Sequence, residues 1–175
     1  MTPDQKRLHG VRCGILTASE RVSRGEGADD SGTYLAQALR AEGADVVARR
    51  VLPDDVEKIA AALIEMADTL CADVVLTTGG SGVAPKDVTP EATLRVIDRQ
   101  VPGLPEAARI ATARSSPLAM LSRAVAGLRG RTLIVNLPGS PRGVREWMDV
   151  LLPALPHAVA LLREAPMVWG KEHSP

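Results

Sequence analysis

Apolar and polar positions follow two different periods along the first half of the chain. Three short runs rich in valine, leucine and isoleucine predict buried strands, and they cover residues 11–18, 44–52 and 72–78. Two longer stretches with apolar residues at helical spacing predict amphipathic helices, and they cover residues 31–43 and 55–70. The polar stretch 19–30 predicts a loop, with Asp30 or Ser31 as the cap of the helix that follows.

Beyond the third predicted strand the pattern is again helical. Residues 89–100 predict a helix with Thr89 as its cap and Pro90 in its first turn, where proline is well tolerated. Residues 102–113 predict a second helix of similar length.

The last third of the chain changes character. Residues 121–139 predict two antiparallel strands joined by a short turn that contains glycine. Residues 140–165 predict a helix or a helix pair, because Pro153 and Pro156 should interrupt one continuous helix. Strands that alternate with helices predict an α/β fold, here a three-layer α/β/α sandwich. Its sheet should be mostly parallel, with an antiparallel strand near one edge.

The length of 175 residues suits one domain with a substantial core. We expect a single domain over residues 1–175, with its core at about 11–164 and flexible termini. The 21 basic and 21 acidic residues balance, so no overall field attracts nucleic acid or an anionic membrane. With no Phe, one Tyr and two Trp, the chain also lacks the stacking platforms that bind single strands.

Cysteine usage and the start of the chain predict a reducing compartment. Cys13 and Cys71 sit in apolar runs without metal-ligand spacing, which favours buried, reduced thiols. Residues 1–10 contain no apolar signal-peptide core, and no run reaches the roughly 18 apolar residues of a membrane span. We therefore expect a cytoplasmic protein.

The chemistry-bearing residues lie directly after the predicted strands, where open α/β sheets bind their ligands. Gly79, Gly80 and Gly82 follow the third strand and allow backbone N–H groups to approach an anion. The stretch matches neither the Walker pattern nor the dinucleotide fingerprint, so spacing alone leaves a tight turn open. Gly139 and Ser140 follow a later strand and precede a helix, whose N-terminus is a second anion site.

Two aspartates occupy comparable positions. Asp87 follows the glycine loop, and a lone loop aspartate there suits catalysis or Mg²⁺ binding, because Thr89 is the expected cap. Asp54 forms a D-x-x-E arrangement with Glu57, so helix capping and ligand binding both remain open for it. Lys86 could add positive charge beside a phosphoryl group, or lie in solvent.

The remaining polar candidates carry weaker signals. Ser122 and Arg123 precede a strand and suit either an anion contact or an ordinary turn. His9, His157 and His173 follow no ligand or triad spacing, so we assign them no role.

Four motifs, in this order along the chain, resemble the MogA/MoaB family of molybdenum cofactor biosynthesis and are similar to the gephyrin G domain. The motifs are TTGGSGVAPKDVTPEAT, VPGLPEAAR, AMLSRAVAG and LIVNLPGSPRGV, and the resemblance runs from about residue 11 to residue 162. It implies a molybdopterin-binding fold, commonly a homotrimer, that adenylylates molybdopterin with Mg·ATP and releases pyrophosphate.

The resemblance also implies roles for particular residues. Asp54 and Asp87 match the two aspartates that the family uses for catalysis, and both would hold Mg²⁺. The implied contacts to nucleotide and pterin are Gly79, Gly80, Ser81, Gly82, Ser122, Asn136, Pro138, Gly139 and Ser140. A downstream molybdenum insertase is the implied recipient of adenylyl-molybdopterin.

This chain departs from the common family pattern at three positions. Glu20 replaces a frequent aspartate, Ser81 replaces threonine, and Lys86 replaces an arginine that could bind phosphate through two N–H groups. Two rival functions follow from the same fold: a MoaB-like protein that binds molybdopterin without adenylylating it, and a nucleotide pyrophosphatase resembling the CinA amino-terminal domain.

Overall fold

The computed structural model describes residues 6–164, which form one mixed sheet between two layers of helices. The strands are β1 Arg12–Ala18, β2 Asp45–Leu52, β3 Val74–Thr78, β4 Arg99–Gln100, β5 Ala126–Arg129 and β6 Thr132–Leu137. The α-helices are α1 Glu20–Ser23, α2 Asp30–Ala41, α3 Val56–Ile64, α4 Thr89–Val96, α5 Gly103–Ala113, α6 Pro141–Leu151 and α7 Leu155–Glu164. A π-helical turn, Glu65–Thr69, extends α3, and a 3₁₀ helix covers Pro117–Leu121.

The sheet has the strand order β2-β1-β3-β6-β5-β4. β2, β1, β3 and β6 are parallel, whereas β5 pairs antiparallel with both β6 and β4. This confirms the predicted mostly parallel sheet with an antiparallel strand near one edge. The carboxyl ends of four neighbouring parallel strands therefore meet at the same edge of the sheet.

Alternate strand residues point to opposite faces, and each face has its own core. Ile15 and Leu76 pack with α2, α5, α6 and α7, where Trp147 is the largest fully buried side chain. Leu16 and Val75 pack on the other face with α3 and α4. The predicted three-layer sandwich is confirmed.

Several local predictions were wrong, each because a nearby polar group makes a different contact. The stretch predicted as a loop contains α1, capped by Ser19. The cap of α2 is Asp29, which accepts from the N–H of Gly32 at 2.9 Å. α4 begins after Val88 without a side-chain cap, because the Thr89 hydroxyl donates instead to the carbonyl of Gly79 at 2.9 Å.

Two more predictions concern the chain's last helices and its thiols. The helix pair is confirmed, because Pro153 lies between α6 and α7, although Pro156 is accommodated in the first turn of α7. Both cysteines are free thiols, but only Cys13 is buried; Cys71 is exposed at a turn with φ 48°. Burial, followed by the negative charges of Asp73 and Asp45, raises the pKa of Cys13 to about 12.

Within residues 6–164 no helix is both long enough and apolar enough to cross a membrane. His173 and the terminal segments 1–5 and 165–175 lie outside the described residues, so the expected flexibility of those ends stays a prediction.

Candidate functional site

A cavity of about 440 Å³ lies at the edge of the sheet where the parallel strands end. Of the residues predicted for the site, it is lined by Gly80, Ser81, Gly82, Asp87, Ser122, Pro138, Gly139 and Ser140. The loops after β3 and β6 thus reach one cavity, because these two strands are neighbours in the sheet.

The glycine loop after β3 has a backbone that only glycine adopts without strain. Gly79 and Gly80 have φ values of 89° and 59°. A Cβ atom at Gly80 would stand 2.5 Å from the Thr89 hydroxyl oxygen and 2.9 Å from Asp54 Oδ1, so there is no space for a side chain. Within residues 6–164 the N–H groups of Ser81 and Gly82 donate no hydrogen bond. The loop can therefore offer these N–H groups to an anion.

The second anion loop follows β6 and leads into α6. Ser140 caps this helix and accepts from the N–H of Gly143 at 3.1 Å, while the Ser31 hydroxyl donates to the carbonyl of Gly139 at 2.8 Å. The N–H groups of Gly139 and Ser140 donate to no other described residue. Together with the helix N-terminus they favour negative charge at the cavity wall.

The two loops touch through their glycines. A Cβ atom at Gly139 would lie 3.2 Å from the Gly79 Cα atom, so backbone packs directly on backbone. A smaller cavity of about 180 Å³ lies on the other side of this contact. It is lined by Gly79 and Gly139, and also by residues after β1 and in α2, among them Thr17, Ser19, Asp29 and Ser31. The Gly79–Gly139 ridge therefore separates two adjacent cavities.

The sequence left helix capping and ligand binding both open for Asp54, and the structure assigns the capping to its neighbour Asp55. Asp55 caps α3 by accepting from the N–H of Lys58 at 3.0 Å. Asp54 Oδ2 accepts from the N–H of Glu20 at 3.2 Å, and its Oδ1 faces Gly80. Since capping is done by the neighbour, the Asp54 carboxylate is free to act at the glycine loop.

Asp87 stands at the other end of the same loop. Its Oδ2 accepts from the N–H of Ala84 at 3.1 Å, and a Cβ atom at Gly82 would lie 2.9 Å from that oxygen. Oδ1 accepts no hydrogen bond from the described residues. Asp54 and Asp87 therefore flank the glycine loop, beside Gly80 and Gly82 respectively.

Arg123 holds this loop from outside the cavity. Its guanidinium donates to the carbonyls of Gly82 and Asp87, each at 2.6 Å, and it forms an ion pair with Glu91. Its own N–H donates to the carbonyl of Ser81 at 2.8 Å. Hydrogen bonding to Arg123 lowers the pKa of Glu91, and the same pairing raises the pKa of Arg123. Arg123 thus contacts the loop backbone rather than the cavity.

Among the predicted site residues, Asp54 lines neither cavity, and neither does Asn136. The Asn136 side chain is fully buried, donates to the hydroxyls of Thr77 and Thr93 at 3.0 and 2.9 Å, and accepts from the N–H of Val125 at 3.2 Å. These bonds join β3, α4 and the start of β5, so Asn136 supports the cavity floor from within the core.

The three positions that depart from the family pattern have different surroundings. Glu20 forms an ion pair with Arg24 at 2.5 Å and turns only its N–H to Asp54. The Ser81 hydroxyl donates to the carbonyl of Leu137 at 3.1 Å, which ties the two loops together. Lys86 is exposed.

The far wall of the cavity was missed by sequence reasoning. It is built by α5, the 3₁₀ helix and α6, through Thr112, Ser116, Leu118, Ala119, Leu121, Arg142, Gly143, Glu146 and Trp147. Arg142 and Glu146 follow the second anion loop by less than two helical turns, so their position near the cavity could have been predicted from the sequence. The residues of α5 and the 3₁₀ helix belong to no loop that follows a strand, so the sequence contained no signal that they line the cavity.

The donor set suits a hard cation that binds phosphate oxygens. Among residues 6–164 no three His, Cys, Asp or Glu side chains form a group that could hold a metal by themselves. Mg²⁺ needs only one or two carboxylates when phosphates and water complete its octahedron. Asp54 and Asp87, each with an oxygen that accepts no hydrogen bond from residues 6–164, fit that requirement.

Comparison with known proteins gives one consistent result. Residues 14–157 match the family described as "Probable molybdopterin binding domain". The molybdopterin adenylyltransferase of Helicobacter pylori (strain J99) is 38% identical over 157 residues, with 89% of each chain covered. Gephyrin from Dictyostelium discoideum is 37% identical over 163 residues, which are 87% of this chain and 23% of that protein. The crystal structure of the molybdopterin biosynthesis enzyme MoaB from Thermus thermophilus is 46% identical, with a TM-score of 0.83, covering 90% of this chain and 99% of that one.

Proposed function

Because this chain belongs to the probable molybdopterin binding domain family, we propose that it is a molybdopterin adenylyltransferase of molybdenum cofactor biosynthesis. Its substrates are molybdopterin and ATP, and its products are adenylyl-molybdopterin and pyrophosphate. One observation carries this proposal: two loops with free N–H groups meet at a ridge between two cavities, with an aspartate at each end of the glycine loop.

The two cavities suit a reaction that joins two substrates. Both cavities are lined by Gly139, so ligands in them would approach each other at the ridge. The N–H groups of Ser81, Gly82, Gly139 and Ser140 donate to no group within residues 6–164, so both loops can bind phosphate oxygens. Holding two phosphates in one orientation supplies much of the rate of a phosphoryl-type transfer.

In the proposed step, an oxygen of the molybdopterin phosphate forms a bond to the α-phosphorus of ATP. The bond from that phosphorus to the β-phosphate oxygen breaks, and pyrophosphate leaves with the electron pair. The nucleophile is ionised near neutral pH, since the second pKa of a phosphate monoester is about 6, so no general base is required. The loop N–H groups bind the oxygens on which negative charge develops.

Asp54 and Asp87 are the proposed Mg²⁺ ligands. A bound Mg²⁺ would neutralise negative charge on the ATP phosphates. The carboxylates themselves are held in place by the N–H groups of Glu20 and Ala84, which keeps an oxygen of each aspartate available.

The experiment measures pyrophosphate release from Mg·ATP with and without molybdopterin. Wild type should release pyrophosphate only when molybdopterin is present. Asp54→Ala and Asp87→Ala should lower the rate at least about 100-fold, the scale for removing one electrostatic contact to a transition state. Asp55→Ala is the matched control, because it removes a carboxylate next to Asp54 that only caps α3.

The same assay separates the rivals. Tight molybdopterin binding without pyrophosphate release would identify a MoaB-like binding protein. Pyrophosphate release that does not need molybdopterin would identify a nucleotide pyrophosphatase. Either result would contradict the proposed transferase.

Three further proposals follow from the family resemblance rather than from the site. We expect a homotrimer, a molybdenum insertase that receives the product, and a cytoplasmic location. Light scattering tests the first, transfer of adenylyl-molybdopterin to a purified insertase tests the second, and cell fractionation tests the third.

A further inference from the structure

Glu146 is an acidic side chain in the wall of the larger cavity that the proposed chemistry does not use. It lies on α6, six residues beyond the cap Ser140, and lines the cavity together with Ser116 and Leu118. At a rise of about 1.5 Å per residue, it stands about 9 Å along the helix from the anion-binding end. That separation leaves room for a ring system between the phosphate site and Glu146.

The carboxylate of Glu146 has acceptor capacity that the protein does not use. Oε1 accepts from Arg142 Nε at 2.9 Å and more weakly from the Ser115 hydroxyl at 3.5 Å. No hydrogen bond within residues 6–164 reaches Oε2. The side chain is 27% exposed, so the carboxylate is partly sheltered and yet reachable from the cavity. Arg142 and Ser115 contact one oxygen and leave the other oxygen open to the cavity's ligand.

The surroundings of Glu146 suit a flat ring. Leu118 and Leu121 line the same cavity and are 73% and 49% exposed. Trp147, the neighbour of Glu146, closes the cavity from the core side. A heterocycle placed between the phosphate loops and Glu146 would cover this apolar surface.

We infer that Glu146 binds the edge of the pterin ring that carries the 2-amino group and N3–H. The inference rests on the proposed function and adds a residue that determines substrate specificity. A carboxylate offers only acceptors. The pterin edge presents two adjacent N–H donors: Oε2 can accept from one of them, and the other can share Oε1 with Arg142. Adenine presents one donor beside an acceptor nitrogen, which a carboxylate repels. Glu146 therefore assigns the larger cavity to the pterin half of the reaction.

The test uses fluorescence titration with two small probes and no ATP. Pterin carries the 2-amino group, whereas lumazine has a carbonyl oxygen there. Wild type should bind pterin about 10- to 100-fold more tightly than lumazine, the scale of hydrogen bonds to a charged group. Glu146→Gln should bind the two probes about equally, because a carboxamide offers a donor as well as an acceptor. Glu146→Asp keeps the carboxylate and should retain part of the preference for pterin.

Asp149→Asn is the matched control, because Asp149 is an exposed carboxylate on the same helix that does not line the cavity. It should bind both probes as wild type does. Thermal melts of all variants show whether each is folded at the titration temperature. In the transfer reaction, Glu146→Gln should raise the KM for molybdopterin by a similar factor and leave the KM for ATP unchanged.

The outcomes separate this inference from the proposed function. A wild-type protein that binds neither probe, or lumazine as well as pterin, overturns the inference. So does a folded Glu146→Gln variant that keeps the wild-type preference. If pterin binding depends on Glu146 but wild type releases no pyrophosphate, the inference stands and the transferase proposal fails.

Discussion

Arg123 and Asp87 are joined through the main chain: the guanidinium donates to the carbonyl of Asp87, a residue that lines the cavity, at 2.6 Å. The same guanidinium donates to the carbonyl of Gly82, five residues earlier. Arg123 therefore holds both ends of the segment 82–87, which contains the Gly82 N–H group and the second aspartate. It acts on the site by fixing the shape of this loop.

Arg123→Lys should weaken catalysis through the position of Asp87. A lysine has one nitrogen and cannot reach both carbonyls and Glu91 at once. We expect kcat/KM to fall about 10- to 100-fold, and the Mg²⁺ concentration for half-maximal rate to rise. Arg95→Lys is the control, because Arg95 pairs with Glu57 at the surface of α4. An unchanged Mg²⁺ dependence in Arg123→Lys would contradict a positioning role.

Neighbouring aspartates should respond oppositely to substitution. Asp55→Ala removes the cap of α3 and should lower the free energy of unfolding by about 1 kcal/mol, with transfer activity retained. Asp54→Ala should lower the transfer rate at least about 100-fold and leave the α3 cap intact. Urea denaturation and pyrophosphate release on both variants check this. Equal loss of stability in the two would show that Asp54 shares the capping role.

Thiol titration should distinguish the two cysteines. Cys71 is exposed and should react at once with an aromatic disulfide reagent, whereas burial and a pKa of about 12 keep Cys13 protonated and inaccessible. We expect one fast equivalent per folded chain and a second on unfolding. Cys71→Ser should remove the fast phase. A fast phase that persists in this variant would mean that Cys13 is reached in the folded state.

The ion pair of Glu91 and Arg123 should contribute to stability at neutral pH and lose that contribution in acid. The pKa of Glu91 is lower in the folded protein than in the unfolded chain, chiefly because of Arg123. Its stabilisation is therefore complete above the unfolded pKa and is lost as the pH falls through the folded value. Both side chains are more than a third exposed, so we expect the pair to contribute less than about 1 kcal/mol to the free energy of unfolding.

Urea unfolding between about pH 6 and pH 3 tests this contribution. The free energy of unfolding should fall less steeply with pH for Glu91→Gln than for wild type, with Glu57→Gln as the control. Parallel curves would rule out this contribution.

The strand ends could be predicted from the sequence, because apolar runs typical of strands alternate with apolar residues at helical spacing. β1, β3 and β6 are mainly apolar runs, typical of strands buried on both faces, whereas the edge strand β2 carries Arg49 and Arg50. Polar or glycine-rich residues follow each of the four strands. Parallel strands have their carboxyl ends at one edge, so Asp54 and Asp87 could be expected near each other before any contact was known.

Side-chain partners across the fold could not be predicted in the same way. Thr89 looked like a cap from its local sequence, but the buried carbonyl of Gly79 needed a donor and took its hydroxyl. Asn136 stood in a motif beside the ligand loops, but alternation along β6 turns its side chain into the core. Glu146 and Leu118 reach the cavity through helix packing, for which a single sequence holds no local signal.

The contact between Gly79 and Gly139 makes the spacing between the two cavities a property of the main chain. Neither residue has a side chain that could change rotamer. Gly79 directly follows β3, Gly139 follows β6 by two residues, and these strands are parallel neighbours. Neighbouring strands are held about 4.8 Å apart by their hydrogen bonds. The distance between the two cavities is therefore set by the sheet itself, and only changes that move whole strands would alter it.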